Sequence, residues 1–327
     1  MNNSATEILN TIKASKNVLI NMDTRTDYDA LSGSLVLSNF IDTLGIKNTV
    51  IHASDIGEKF EQFYSHEKIK TNTDISTINL TDFDLLIFMD TGTRSHISNN
   101  MGFMVPKNIT TINFDHHASN DFFGKLNYIY PFGSCCSVLF KFFEELEIEL
   151  DIAQLNILVV GILTDTGFFI YDTVKPEDFE ITAKLMRRGI QVWDFITKLG
   201  SYEYLDQVKF KKIIYSNLKV DLLKKYAYST LTLAELNVEG IDLNKVVVRH
   251  SDLLKFIREV DFAFVIAELD TTPKSFEVSF RSKNPNIDVS QMAKAFGGGG
   301  HKTGASAKLE ALDLNEALML VLQKLNL

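Results

Sequence analysis

The stretch "TTINFDHHASNDFFG", Thr110–Gly124, decides the fold. An apolar run, Thr111 to Phe114, stops at Asp115-His116-His117. A strand ending in a polar loop explains most such edges. It explains less once other strands in the chain end in acids too, and two others do. "NVLINMDTRTDYDA" passes from a strand candidate at Val18–Asn21 into Asp23, Asp27 and Asp29. "FDLLIFMDTG" closes a second, Asp84–Met89, with Asp90. In open α/β sheets ligands bind beyond the carboxyl ends of the strands, so these side chains are expected to converge on one sheet edge. Asp165, in "GILTDTGFF", follows a further apolar segment and joins the set.

Around these motifs, short apolar runs alternate with helix-like segments, which argues for a parallel sheet flanked by helices. Thr49–His52 and Thr110–Phe114 complete the strand candidates. Leu31, Leu35, Leu37 and Ile41 give Ala30–Leu44 helical spacing ahead of Gly45. Ser134–Leu146 reads as a helix with Ser134 as its N-cap. Ile152–Leu163 is ambiguous by period, and its length favours a buried helix. The chain is charged and helix-like from Asp178 to Lys225. Beyond it "YAYSTLTL", "FAFVIAEL" and "SFEVSFRSK" are β-rich, with a helix candidate at Ser251–Glu259. The fold class read from this is α/β. A parallel-sheet N-terminal domain (1–190) and a helical linker (191–225) precede a smaller α+β domain (226–327), with a cleft between the two domains.

With 327 residues, 45% of them hydrophobic and 23% charged, the chain has the composition of a soluble globular protein of about two domains. A net charge of −9 argues against a broad nucleic-acid surface, so long duplex nucleic acid is not an expected partner. A small anionic substrate in a local pocket stays open. Cys135 and Cys136 are adjacent, which is neither a disulfide framework nor a spaced metal site and points to a reducing compartment. The first residues lack a signal-peptide pattern. No apolar run approaches the ~20 residues that span a bilayer. The expectation is a cytoplasmic protein without a membrane partner.

Four or five carboxylates in one crevice repel and raise one another's pKa values unless a cation neutralises them. Oxygen ligands with imidazole suit a hard or borderline divalent ion such as Mn²⁺, with Mg²⁺ as the alternative. Many acids with few imidazoles suggest two ions sharing a bridging carboxylate, the usual clamp for phosphoryl hydrolysis. Each piece alone has a plainer reading. "DYD" is a solvated turn, Asp90 a capping acid and His116 a structural histidine; the metal reading rests on the whole. "FGGGGHKTGAS", Phe296–Ser306, is the second signal. A flexible linker competes, yet the run lies inside a predicted domain. Glycines let backbone N–H groups approach an anion closely, and His301 and Lys302 add donors. Arg281 and Lys283 end a predicted strand nearby, so the run reads as a phosphate or carboxylate pocket. Of the aromatic residues beside the motifs, Phe122, Phe123, Phe168, Phe169 and Tyr171 read first as core. Tyr28 is the better candidate for stacking a base.

Together these residues resemble the DHH phosphoesterases that carry a DHH-associated C-terminal domain, over nearly the whole chain. "DYDALSGS" is similar to the family's first motif, "DTGTR" to its second, "DHH" to its third and "TDTGFF" to its fourth. "GGGGHKTGAS" is similar to its C-terminal GGGH signature. The bacterial nano-RNase/pAp phosphatase branch fits best. The resemblance implies two divalent ions, one held by Asp27 and Asp90 and the other by Asp29, Asp90, His116 and Asp165. It implies that Asp90 bridges, His117 faces the scissile phosphate and Asp115 orients the histidines. It further implies that Arg281, His301, Lys302 and the glycines Gly298, Gly299 and Gly300 hold the substrate's phosphate and terminal nucleotide. One position departs from the pattern: Asp23 stands where the family usually has histidine, and it either ligates in its place or is no ligand and leaves one metal weakly held. The implied activity is hydrolysis of short oligoribonucleotides to mononucleotides, with dephosphorylation of 3′-phosphoadenosine 5′-phosphate (pAp) beside it. A cyclic-dinucleotide phosphodiesterase is a second reading. A nucleotide-binding regulator without catalysis is a third. A homodimer is the expected assembly for the family.

Overall fold

A computed structural model describes residues 2–25, 27–56, 68–201, 203–246 and 250–327. The chain divides into two compact units, residues 1–202 and 203–327.

In the first unit, β1 (Asn17–Met22), β2 (Lys47–Ile51), β3 (Ile69–Lys70), β4 (Leu85–Met89), β5 (Thr110–Asp115) and β6 (Leu126–Ile129) form one sheet. Its order is β3-β2-β1-β4-β5-β6 and every pair is parallel. The winding direction reverses between β1 and β4, the kind of point where such sheets open a crevice at their strand ends. Register makes that crevice acidic. Met22 pairs with Met89 and Met89 with Phe114, so Asp23, Asp90 and Asp115 are the next residues on three adjacent strands.

The central strands are almost wholly buried, as a parallel sheet covered on both faces requires. Alternate residues divide between two cores. Ile20, Ile87 and Phe114 pack with α2 (Tyr28–Thr43), α3 (Cys135–Glu145) and α4 (Ile152–Asp165) through Leu35, Phe142 and Leu158. Leu19, Leu86 and Phe88 pack on the other side with Ile75, Ile97 and Ile109. Each of these helices starts at a capped residue. Asp27 Oδ1 accepts from Ala30 N (2.8 Å), Ser134 Oγ from Ser137 N (3.0 Å) and Asp151 Oδ1 from Gln154 N (2.8 Å). Caps of this kind hold a helix start by about 1 kcal/mol each. The helix α1 (Ala5–Ala14) precedes the sheet, while α5 (Pro176–Arg187) and α6 (Val192–Ile196) follow.

The second unit is built on another sheet, of β7 (Lys219–Asp221), β8 (Tyr226–Leu231), β9 (Phe262–Leu269), β10 (Ser275–Ser282), β11 (Gly299–His301) and β12 (Gly304–Glu310). The order is β11-β12-β10-β9-β8-β7, with β8 and β9 parallel and the remaining pairs antiparallel. One face buries Phe264, Phe276 and Phe280 with α10 (Val289–Lys294) and α11 (Leu314–Lys324). The other carries α7 (Leu205–Ser216), whose Phe210, Ile213 and Ile214 are core residues, with α8 (Leu233–Glu239) and α9 (His250–Leu254). Of the stretch read as a linker, α6 lies in the first unit, whereas α7 and β7 lie in the second. Among the described residues no helix is long and apolar enough to cross a membrane.

Candidate metal centre and anion pocket

Asp90 follows β4 with φ at 55°, a left-handed backbone that aspartate adopts more readily than most residues. Its N–H donates to Phe114 O (2.8 Å), which pins the turn to β5. The carboxylate is buried, and Oδ1 makes no hydrogen bond of good geometry. That oxygen lies 3.3 Å from His116 Nε2 and 3.7 Å from His117 Nδ1. A buried carboxylate oxygen without a donor, facing two imidazoles, fits a cation.

His116 Nδ1 lies 3.0 Å from Phe132 O, and a carbonyl accepts only from a protonated nitrogen. That places a proton on Nδ1 and turns Nε2 toward Asp90 and Asp165, whose Oδ2 is 3.2 Å away. Metal-ligating histidines are oriented in this way, by a carbonyl behind the ring. Burial works against charge on His116, but the neighbouring carboxylates of Asp90, Asp29 and Asp165 outweigh it. They push its pKa well above the ordinary value. His117 is fixed differently. Its Nδ1–H donates to Asp115 Oδ1 (2.7 Å), while Asp115 Oδ2 accepts from Asn120 Nδ2 (2.5 Å). The Asp115 bond raises the His117 pKa against the pull of burial.

Asp29 sits in the first turn of α2 and receives the N-terminus of α3. Cys135 N donates to its Oδ2 (2.5 Å) and Cys136 N to its Oδ1 (2.9 Å), so two otherwise orphaned helix amides steady one carboxylate. Two groups of side chains offer ligand atoms within 4.8 Å of one another: Asp90, Asp115, His116 and His117, and Asp29, His116 and Asp165. Asp27 belongs to neither group, but its charge reaches Asp90 and Asp165. The acids carry the marks of crowding. Burial first, then Asp29, pushes Asp27 up to about 6 and Asp165 up to about 7. Burial, then Asp27, drives Asp90 well above the usual carboxylate range. Acids that retain protons near neutrality form a cluster short of positive charge, and a divalent metal fits that donor set.

Asp23 is buried and level with Asp90 and Asp115, yet its oxygens face elsewhere. Oδ1 accepts from Arg25 N (2.9 Å) and Arg25 Nε (3.1 Å). Oδ2 accepts from Arg25 Nη2 (3.1 Å) and lies 3.1 Å from His96 Nδ1.

In the second unit, Arg281, Gly299, Gly300 and His301 line a cavity of about 380 Å³ together with Lys255, Ser282 and Thr303. Gly298 and Lys302 are not among its lining residues. Gly298 N donates to Ala293 O (2.9 Å), and Lys302 O accepts from Val289 N (2.9 Å), so both are tied to α10. Asp252 holds the cations of the pocket in place: Arg281 Nε donates to its Oδ1 (2.9 Å) and Lys255 Nζ lies 3.1 Å from the same atom. Burial opposes ionisation of Asp252, but Arg281 and Lys255 hold its pKa below the usual range. Arg25, His96, Asn120, Lys255 and Asp252 were not singled out in the sequence. Asn120 lies five residues after Asp115, and nothing in its spacing marks it.

Comparison with known proteins adds to this geometry. Residues 17–162 match the model of the DHH family's N-terminal domain, and residues 223–327 match the DHHA1 domain. The chain carries the domain pair of the DHH family, an N-terminal DHH domain followed by DHHA1. It is 29% identical over 224 residues to a Thermus thermophilus protein named bifunctional oligoribonuclease and PAP phosphatase NrnA. That alignment covers 67% of this chain and 64% of the relative, slightly under two thirds of its length. A Streptococcus mutans protein, named a probable member of the same bifunctional type, is 24% identical over 97% of both chains. The crystal structure of an exopolyphosphatase-related protein from Bacteroides fragilis superposes with a TM-score of 0.82 at 18% identity. It covers 98% of this chain and 95% of that one, a shared fold.

Proposed function

We propose that the chain cleaves phosphodiester bonds in short oligoribonucleotides, releasing mononucleotides, and also removes a phosphate from pAp. The observation that carries this reading is the buried acid–imidazole cluster, in which Asp90 Oδ1 has two histidines and no hydrogen bond. The two NrnA-type relatives support the substrate class.

Asp27, Asp29, Asp90, His116 and Asp165 are the residues assigned to hold two divalent ions, Mn²⁺ first, with Asp90 shared between them. When bound, such ions lower the pKa of an attacking water and stabilise charge on the phosphoryl oxygens. The side chains do the rest. The Phe132 carbonyl keeps the His116 proton on Nδ1, so Nε2 stays available as a ligand. Asp115 and Asn120 fix the His117 ring and favour its protonated form, which can donate from Nε2 to a phosphate oxygen as charge builds there. Arg281, His301 and the Gly299-Gly300 backbone are assigned to an anionic group of the substrate. A cavity of about 380 Å³ is of small-molecule size and suits one terminal nucleotide rather than a long strand.

The test is an activity panel with Mn²⁺ and Mg²⁺ on a labelled RNA dimer, five-mer and twenty-mer, pAp and cyclic di-AMP, with Asp90→Ala as control. Fast metal-dependent loss of the short RNAs, absent in the control, is the expected result. Cyclic di-AMP turning over faster than any linear RNA moves the assignment to signalling nucleotides. No turnover with either metal overturns it.

A further inference from the structure

We propose that Arg25 grips the substrate's phosphate at the metal centre, and that Asp23 is the positioning residue that aims it rather than a metal ligand. This deepens the reading above and rests on it.

Three observations carry the proposal. First, both oxygens of Asp23 are engaged. Arg25 approaches side-on through Nε and Nη2, each at 3.1 Å, and its own backbone N–H closes the same turn at 2.9 Å. To reach a metal, this carboxylate would have to release a two-point guanidinium pair, the strongest geometry such a pair adopts. No group of metal-competent atoms found among the described residues includes Asp23.

Second, the pair is lopsided. The Asp23 side chain is 4% exposed and that of Arg25 is 68% exposed. A buried anchor holding an exposed cation fixes its direction, while Nη1 has no part in the Asp23 pair. The anchor is itself braced by the turn after β4. Thr24 N donates to His96 O (3.0 Å), and Asn21 Nδ2 donates to Ile97 O (3.1 Å). His96 Nδ1 is 3.1 Å from both Asp23 Oδ2 and Arg25 Nη2, donating to one or accepting from the other according to its tautomer.

Third, the neighbourhood needs a fixed cation. Arg25 lies between β1 and α2, two residues before Asp27, and its anchor Asp23 is level with Asp90 at the strand ends. A phosphodiester entering a site of that charge is repelled by every carboxylate the ions do not neutralise. A guanidinium carries a permanent charge and a planar fork matched to phosphate oxygens, which a carboxylate at position 23 cannot supply.

The experiment uses the full chain and two readouts. Mn²⁺ stoichiometry and affinity come from calorimetry on metal-stripped protein. KM and kcat come from the substrate the wild type turns over best, and inorganic phosphate serves as the binding probe on Mn²⁺-loaded protein. Arg25→Gln and Asp23→Asn are each expected to bind Mn²⁺ within about twofold of wild type. Each should raise KM and weaken phosphate binding about 10- to 100-fold, the worth of a charged hydrogen bond. Arg25→Lys should recover part of that loss, and the double variant should be no worse than Arg25→Gln alone. Loss of one Mn²⁺ per chain in Asp23→Asn makes Asp23 a ligand and overturns the proposal. So does Arg25→Gln with unchanged KM and phosphate binding, a variant at an exposed position where folding is not at issue. If the wild type turns over no phosphate ester, the functional reading fails, and the Mn²⁺ and phosphate titrations still decide the roles of Asp23 and Arg25.

Discussion

In the N-terminal unit the functional side chains are buried and crowded: Asp90 lies 3.3 Å from His116 and Asp115 2.7 Å from His117, and burial with mutual repulsion raises the pKa values of Asp27, Asp90 and Asp165. In the C-terminal unit they line a cavity of about 380 Å³ beside the glycine strand, with Arg281 and Lys255 tethered to one carboxylate. The first site is shaped by side chains that strand register makes level, and it stores electrostatic strain. The second is shaped by the path of a glycine edge strand, and its charges are paired. Losing a side chain should therefore be most severe in the first unit, and gaining one in the second.

The largest effect is expected at Asp90. Asp90→Asn keeps the left-handed turn, since asparagine tolerates φ near 55°. It removes the charge of the carboxylate proposed to be shared between the ions, and turnover should fall by about 10³-fold or more. The same change should raise the melting temperature of metal-free protein at pH 8, because it removes a buried group that crowding makes costly to ionise. Turnover assays and calorimetry in chelator check the two halves. A lower metal-free melting temperature would break the picture of stored strain.

The pH dependence of metal-free stability is the next effect in size. Asp27 and Asp165 sit at about 6 and about 7 in the fold, above the ordinary carboxylate value of 3.8. Between those values the native state binds more protons than the unfolded state, so stability falls as pH rises from about 4 to about 7. His116 acts in the same direction, its raised pKa giving stability that is lost as pH climbs through it. Divalent ions replace these protons, so the melting-temperature gain from Mn²⁺ should be larger at pH 8 than at pH 5. Equal gains at both pH values would mean that the acids do not share a site.

These two sites were unequally visible in the sequence. Asp90, Asp115 and Asp29 follow or flank apolar runs, and a parallel sheet aligns the ends of such runs. The four strand candidates lie within two residues of β1, β2, β4 and β5. β3 and β6 were missed because two residues, and "LNYI" with its polar second position, carry too little periodicity. The helix expected over Ser251–Glu259 is described only as His250–Leu254. The partners of the motif residues were illegible for another reason. Asn120 on Asp115 and His96 on Asp23 depend on how loops return to the sheet, and no local pattern encodes that.

In the second unit, Gly300→Ala should damage the pocket. Gly300 has φ at 144°, and an added Cβ would lie 2.6 Å from Ala305 Cα and from Gly304 O. Gly298→Ala meets Ser306 O at 2.2 Å, so it should push β11 off β12 as well. Each is expected to cost about 1–3 kcal/mol of stability and to raise KM while leaving Mn²⁺ affinity unchanged. Denaturant melts and metal titrations check this. A weakened Mn²⁺ site in either variant would show that the two sites are not independently built.

Gly299→Ala should have the smallest effect on stability, within about 0.5 kcal/mol, and it sharpens the comparison most. Its added Cβ would meet no protein atom within 4 Å, and its backbone is not left-handed. Nothing in the fold itself therefore requires glycine between Gly298 and Gly300. Gly299 does line the cavity, so a methyl there would occupy space that an anion needs to reach the neighbouring N–H groups. A KM raised several-fold with unchanged melting temperature and kcat would mean that the glycine is kept for the ligand's approach. An unchanged KM would assign the glycine run to the packing of β11 on β12 and leave Arg281 and His301 as the pocket's working groups.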